Sequence, residues 1–179
     1  MSSHTFEPAA SARAKCRACG DRIEKGELRF GERLPNPYAD GEDAEMTHWF
    51  HVPCAAFMRP EPFLDGLTET SAAIDDRERL TREAKLGIAH RRLPRLSKAG
   101  RAPSGRAKCR SCREMIEKDA WRIALVFYED GRFAPSGFIH VTCAADYLET
   151  VEIIDRLRHF SPDLGDGDLE EIRASLEQS

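Results

Sequence analysis

No apolar run in this chain approaches the roughly 20 residues that a membrane-crossing helix needs. The first residues lack the basic-then-apolar order of a secretory leader. An excess of positive charge is missing as well, since the net charge is −4 over 179 residues. Lysine is scarce, 6 against 21 arginines, a usage that suggests a GC-rich genome. These absences exclude a helical membrane protein and point to a reducing, intracellular setting. There, cysteine patterns read as metal sites before disulfides. The negative total argues against a polyanionic partner only until the charge is located. Residues 81–110 carry 10 basic and 1 acidic side chains, whereas residues 111–179 carry 7 and 15. A basic girdle therefore lies inside an acidic chain, and so uneven a field matters more to a polyanion than the total.

What is present is a repeat. Arg13-Ala14-Lys15-Cys16-Arg17-Ala18-Cys19 returns 93 residues later as Arg106-Ala107-Lys108-Cys109-Arg110-Ser111-Cys112. Ile23-Glu24-Lys25 and Arg29 return at the same offset as Ile116-Glu117-Lys118 and Arg122. His51-Val52-Pro53-Cys54-Ala55-Ala56 returns after 89 residues as His140-Val141-Thr142-Cys143-Ala144-Ala145, so the second copy has a loop four residues shorter. This is a duplicated module.

Each copy reads as α+β: a short antiparallel sheet with flanking helices, stapled by metal. Strands are expected over Leu28 to Leu34, Thr47 to Phe50, Trp121 to Tyr128 and Gly137 to Ile139. Asp40-Gly41 and Asp130-Gly131 supply the turns. The His-x-x-Cys pairs open helices, and each copy closes with a polar helix, near Ile74 to Leu86 and near Asp168 to Leu176. The expected organisation is a first finger over 9–90, a basic linker over 91–104 and a second finger over 105–179. The linker reading rests on Pro94, Gly100, Pro103 and Gly105.

All six cysteines fall into two Cys-x-x-Cys…His-x-x-Cys sets: Cys16, Cys19, His51 and Cys54, then Cys109, Cys112, His140 and Cys143. A two-residue gap in a tight turn lets both thiolates reach one tetrahedral ion, and the His-x-x-Cys turn completes Cys₃His. Two Zn²⁺ per chain are expected, and four protein ligands leave no position for an activated water. A redox Cys-x-x-Cys reading leaves both His-x-x-Cys pairs unexplained. His48 competes with His51 as the fourth ligand, and the repeat favours His51, the one that matches His140.

These motifs, Arg-Ala-x-Cys-x-x-Cys, Ile-x-Lys-Gly-x-x-Arg and Trp-aromatic-His-x-x-Cys, resemble the zinc finger of poly(ADP-ribose) polymerases and of a nick-sealing DNA ligase. Leu34-Pro35-Asn36-Pro37-Tyr38 is similar to the loop of the ligase relative. The resemblance implies binding to DNA nicks and ends by structure and not by sequence. It implies that Arg13, Lys15, Arg17, Arg106, Lys108 and Arg110 grip the backbone and that Arg29 and Arg122 reach a groove. It further implies that Pro37 and Tyr38, with Phe133 in the second copy, stack on the base pair that a break exposes. Two departures stand out: Ala12 replaces a glycine that finger two keeps as Gly105, and Phe138-Ile139 replaces Trp49-Phe50.

The physics of the residues agrees, because cations beside each metal suit phosphates and an exposed loop aromatic suits an unstacked base. The expected function is non-enzymatic recognition of DNA breaks in damage recognition or repair, on the nucleoid if bacterial or in the nucleus if eukaryotic. The alternative is a zinc-stabilised protein-interaction module, or an accessory subunit of a repair enzyme on another chain.

Overall fold

In the computed structural model, residues 4–41 and 44–179 are described. The chain divides into two compact units, residues 1–89 and 90–179. Both are α+β, each with one three-stranded antiparallel sheet.

In the first unit, β1 (Thr5–Pro8), β2 (Leu28–Pro35) and β3 (Glu45–His51) pair in that order. Phe6, Phe30 and Phe50 face each other across the three strands. Side chains alternate along a strand, so this row and the next row, Glu7, Arg29 and His51, lie on opposite faces. The phenylalanine row faces the core. There it meets Phe63 of α2 (Pro60–Glu69), and the rings of Phe6 and Phe30 are 5.1 Å apart while those of Phe30 and Phe63 are 6.0 Å apart. Helix α1 (Val52–Met58) begins with Pro53 in its first turn, where the missing N–H costs nothing. Leu80 and Ala84 of α3 (Arg77–Ala89) are buried too.

The second unit repeats the plan with β4 (Leu96–Arg101), β5 (Trp121–Glu129) and β6 (Arg132–His140). Its core row is aliphatic, Ala99, Ile123 and Ile139. The β5–β6 turn is Asp130-Gly131, both at positive φ (50° and 75°), as a two-residue type I′ hairpin requires. His140 leads into a 3₁₀ turn (Val141–Cys143) and then α4 (Ala144–Leu148), with α5 (Ile154–Phe160) and α6 (Asp166–Glu177) following. Helix α6 is tied to the sheet by Glu171, which accepts from Trp121 Nε1 at 2.9 Å and pairs with Arg101.

The expected linker is not one. Residues 91–104 contain a 3₁₀ turn (Leu93–Arg95) and strand β4, and both Leu93 and Leu96 are buried. The residues that suggested a linker are placed where they break nothing. Pro94 lies in the turn, Pro103 and Gly105 follow the strand, and Gly100 borders open space. At the repeat offset of 93, β1 corresponds to Lys98 to Arg101, and Glu7↔Arg29 corresponds to Gly100↔Arg122 in the same register. The polar closing helices occur as expected, as α3 and α6.

Candidate metal centres and cation surface

Each Cys-x-x-Cys sits in a small knuckle closed by backbone hydrogen bonds. Cys16 N–H donates to Asp21 O at 2.8 Å and Ile23 N–H to Ala14 O at 2.9 Å; in the second unit Cys109 N–H donates to Glu114 O and Ile116 N–H to Ala107 O. Ile23 and Ile116, both fully buried, anchor the knuckles from behind. The knuckles dock on the third strand through Arg17 N–H to Trp49 O (3.0 Å) and Arg110 N–H to Phe138 O (2.8 Å). That docking carries the two thiols to the histidine at the end of the strand.

Within each set the four donor atoms lie within 4.8 Å of one another. His51 Nδ1 is 3.4 Å from Cys19 Sγ and 4.0 Å from Cys54 Sγ, and His140 Nδ1 is 3.4 Å from Cys112 Sγ and 3.7 Å from Cys143 Sγ. A tetrahedral zinc with Zn–S near 2.3 Å and Zn–N near 2.0 Å separates S from N by about 3.6 Å. The other ring nitrogen faces a carbonyl in both cases: His51 Nε2 is 3.2 Å from Arg22 O, and His140 Nε2 is 3.2 Å from Met115 O. That bond keeps the proton on Nε2 and turns the bare Nδ1 toward the sulfurs, as a ligating histidine requires. Backbone N–H groups add to the sulfurs, His51 to Cys16 and Ser111 and His140 to Cys109, each at 3.4 Å.

The crowding of these donors shows in their proton affinities when no metal cation neutralises them. The Cys16 thiol is held far below its ordinary range by hydrogen bonds from the thiols of Cys19 and Cys54, and His51 is raised to about 11 by its contacts with Cys16 and Cys19. Cys54 is pushed well above its range by hydrogen bonding to Cys16 and Cys19 and then by burial. In the second set burial pushes Cys109 up, yet the backbone N–H groups of His140, Cys112 and Ser111 bring it to about 7. Cys143 is pushed up to about 12 by burial and then by the charge at Cys109. Thiols this close compete for one positive charge, which a divalent cation supplies to all of them. Donor type, number, spacing and second-sphere bonds fit Zn²⁺, and both sites are closed Cys₃His centres.

His48 is not a ligand. It is 3% exposed and stands opposite Glu32 in the β2–β3 ladder, on the Phe50 side of the strand. Burial, then the charge of Arg17, lowers its pKa, and its Nδ1 is buried without a hydrogen-bond partner. Beside it partly exposed Arg59 pairs with buried Glu32, its Nε donating to Oε2 at 2.8 Å.

The residues expected to touch DNA fall into three groups. Arg13, Lys15 and Arg17, and likewise Arg106, Lys108 and Arg110, are exposed around the knuckles. Tyr38 is 84% exposed beside exposed Pro37, in a loop held by Tyr38 N–H donating to Asn36 Oδ1 at 3.0 Å. Phe133 instead packs on Tyr128 across the hairpin, with ring centroids 4.8 Å apart.

Arg29 and Arg122 form the third group, and they differ. Arg29 is only 11% exposed, pairs with Glu7 Oε1 at 2.8 Å, and has its guanidinium 3.5 Å from the centroid of the Trp49 ring. The indole lies across β2 because residue 31 is glycine; a Cβ there would come within 2.7 Å of Trp49 Cζ3. Arg122 lies 3.7 Å over Phe138, with Gly100 opposite it and no carboxylate partner among the described residues. The motifs did not disclose Glu7, whose one signal is its alignment with Gly100 at the repeat offset. Nor could they disclose the carbonyls of Arg22 and Met115, since a backbone acceptor has no sequence signature.

The family model for the poly(ADP-ribose) polymerase and DNA-ligase Zn-finger region matches residues 7–90. The chain is 30% identical over 134 residues to poly [ADP-ribose] polymerase 1 of Gallus gallus, covering 66% of this chain and 13% of that protein. It is 29% identical over 141 residues to poly [ADP-ribose] polymerase of Sarcophaga peregrina, covering 69% of this chain and 14% of that protein. It is 33% identical over 64 residues to poly [ADP-ribose] polymerase 1 of Oryza sativa subsp. japonica, covering 36% of this chain and 6% of that protein. The chain thus spans a small fraction of the length of these relatives. Among the described residues no helix is long and apolar enough to cross a membrane. The matched stretch, residues 7–90, holds the first Cys₃His set together with strands β2 and β3, so the zinc-finger family of poly(ADP-ribose) polymerases and DNA ligases is what the first unit is similar to.

Proposed function

We propose that this chain binds DNA strand breaks, nicks and ends, by structure rather than sequence, and performs no catalysis itself. The observation that carries the reading is Tyr38, an aromatic ring 84% exposed at a loop tip of a module whose knuckle carries three exposed cations. A ring left in water has a partner where a base pair has lost its neighbour, and the cations have one in the flanking phosphates. The closed Cys₃His centres support a non-enzymatic role, because no coordination position is left for substrate or water. Arg13, Lys15, Arg17, Arg106, Lys108 and Arg110 hold phosphates in this reading, Arg29 and Arg122 reach the groove, and Pro37, Tyr38 and Phe133 meet the exposed base pair. The chain then serves in damage recognition or repair, close to DNA, recruiting or shielding rather than reacting. The test is a competition between nicked duplex and closed circular DNA of the same sequence at near-physiological salt. Preferential binding to the nick supports the reading, and equal affinity defeats it.

A further inference from the structure

The second unit holds a cavity of about 460 Å³ lined by Arg92, Arg95, Arg110, Arg113, Asp146 and Tyr147, with Ser111 and Ser136 between them. Four arginines and one aspartate line it, and none of the four arginines has an ion-pair partner among the described residues. Two of them are held in place by hydrogen bonds, and Arg95 lies 5.0 Å over the Phe127 ring. Arg92 donates to Tyr147 O at 3.2 Å and lies 4.8 Å from the centre of that ring. Arg110 Nε donates to Ser136 O at 2.9 Å, and its side chain passes over Gly137 so closely that a Cβ there would lie 3.0 Å from Nε. Gly137 is also at φ 90°.

The fourth arginine gives the independent signal. The position after each Cys-x-x-Cys is left-handed: the first unit uses Gly20 (φ 80°), whereas the second has Arg113 at φ 69°. A residue with a Cβ costs about 1 kcal/mol or more there. The arginine takes that strained position at the rim of this cavity. The first unit has no equivalent cavity wall, since Asp146 and Tyr147 correspond to Phe57 and Met58, and Gly137 to His48.

We propose that this cavity is a phosphomonoester site, which takes the terminal phosphate of a DNA strand at a break. A phosphomonoester carries nearly two charges and three free oxygens, which match several converging guanidinium forks better than one backbone phosphodiester does. The volume admits the terminal nucleotide along with its phosphate. The site deepens the strand-break reading and rests on it for the source of the phosphate.

The test measures affinity of the zinc-loaded full chain for one nicked duplex bearing either a 5′-phosphate or a 5′-hydroxyl at the nick. The phosphate form should bind roughly tenfold tighter, the scale of one lost charge-assisted contact set. Arg113→Gly should remove that preference with no loss of stability, because glycine suits the left-handed position better. Arg92→Ala combined with Arg95→Ala should remove it as well. Equal affinity for the two nicks overturns the site and leaves break binding standing. A preference that survives all three substitutions overturns its location. Should the protein ignore nicks altogether, the strand-break reading falls and a short single strand decides the site. Tighter binding of its 5′-phosphorylated form upholds the phosphate chemistry, and equal binding ends it.

Discussion

The same row of three strands reads Glu7, Arg29 and His51 in the first unit but Gly100, Arg122 and His140 in the second. The opposite face reads Phe6, Phe30 and Phe50 against Ala99, Ile123 and Ile139. Duplication kept the histidine and the arginine, and changed what surrounds them. The first unit is filled with interlocking rings and holds its arginine in an ion pair, while the second is filled with aliphatic side chains and leaves its arginine unpaired. The metal-ligand set is the part that both copies keep unchanged, and it staples two units whose cores differ.

The largest expected effect follows from that constancy. Structural zinc contributes on the order of 10 kcal/mol in modules of this kind, comparable to a whole domain's stability. Cys112→Ala should therefore unfold the second unit and leave the first folded. The two tryptophans report separately, Trp49 from the first sheet and Trp121 from the second. Zinc content should fall from two ions to one, and only the Trp121 emission should shift to that of an exposed indole. Loss of both signals together would show that the units fold as one and would break the comparison at its root.

Next in size is the contrast between the cores. Phe30 is fully buried and its ring meets those of Phe6, Phe50 and Phe63. Phe30→Ala should cost about 3–5 kcal/mol, because the rigid rings around it cannot collapse into the space. Ile123→Val, at the matching position, should cost about 0.5–1.5 kcal/mol. Chemical denaturation followed by the tryptophan of each sheet measures both.

Legibility in the sequence followed the range of the signal. The zinc ligands could be read because both halves of each set are local motifs that recur in register. Strand β5 carries enough β-branched and aromatic residues to identify itself, and β2 was legible as its counterpart in the repeat. Of β3 and β6 only Thr47 to Phe50 and Gly137 to Ile139 were expected. Asp130-Gly131 marks its own hairpin. Strands β1 and β4 carry no such signal. Thr5-Phe6-Glu7-Pro8 is too short, and Leu96 to Arg101 contains Gly100 and two cations, so both are strands because β2 and β5 offer an edge to pair with. Partners set by that pairing were equally hidden, and Glu7, 22 residues before Arg29, is the clearest case. Helix α2 begins at Pro60, because Arg59 leaves the helical region, at φ −129° and ψ 60°, between α1 and α2. Left-handed Arg113 was unreadable for another reason: the propensity of its type argues against the conformation it adopts.

A third expected effect tests whether the loops divide labour. Tyr38 stands free in the first unit, and its counterpart Phe133 is engaged with Tyr128. Base stacking is worth about 1–3 kcal/mol, which is roughly tenfold to a hundredfold in affinity. Tyr38→Ala should weaken binding to a nicked duplex by that amount, with little change in thermal stability or salt slope. Arg106→Ala should instead lower the salt slope by about 0.9. A Tyr38→Ala protein that binds like the parent would remove the difference between the loops.

The smallest effect is the most specific, because it exchanges the feature that separates the two rows. Glu7 neutralises Arg29, whereas Arg122 faces Gly100, where an added Cβ would meet nothing within 4 Å. Gly100 is not at positive φ, so a side chain can be placed there without strain. Glu7→Gln should release Arg29 at a cost of roughly 0.5–1 kcal/mol in stability, since the pair is partly buried on the arginine side and open on the other. Gly100→Glu should give Arg122 the partner it lacks. If both arginines meet phosphate, the first change raises the salt slope of DNA binding by about 0.9 and the second lowers it by about the same. Opposite shifts in the two slopes would establish the carboxylate as the device that sets how much charge each unit offers to DNA. Slopes that stay put in both proteins would show that this row faces no phosphate at all, and would confine the cation surface to the exposed arginines and lysines of the two knuckles.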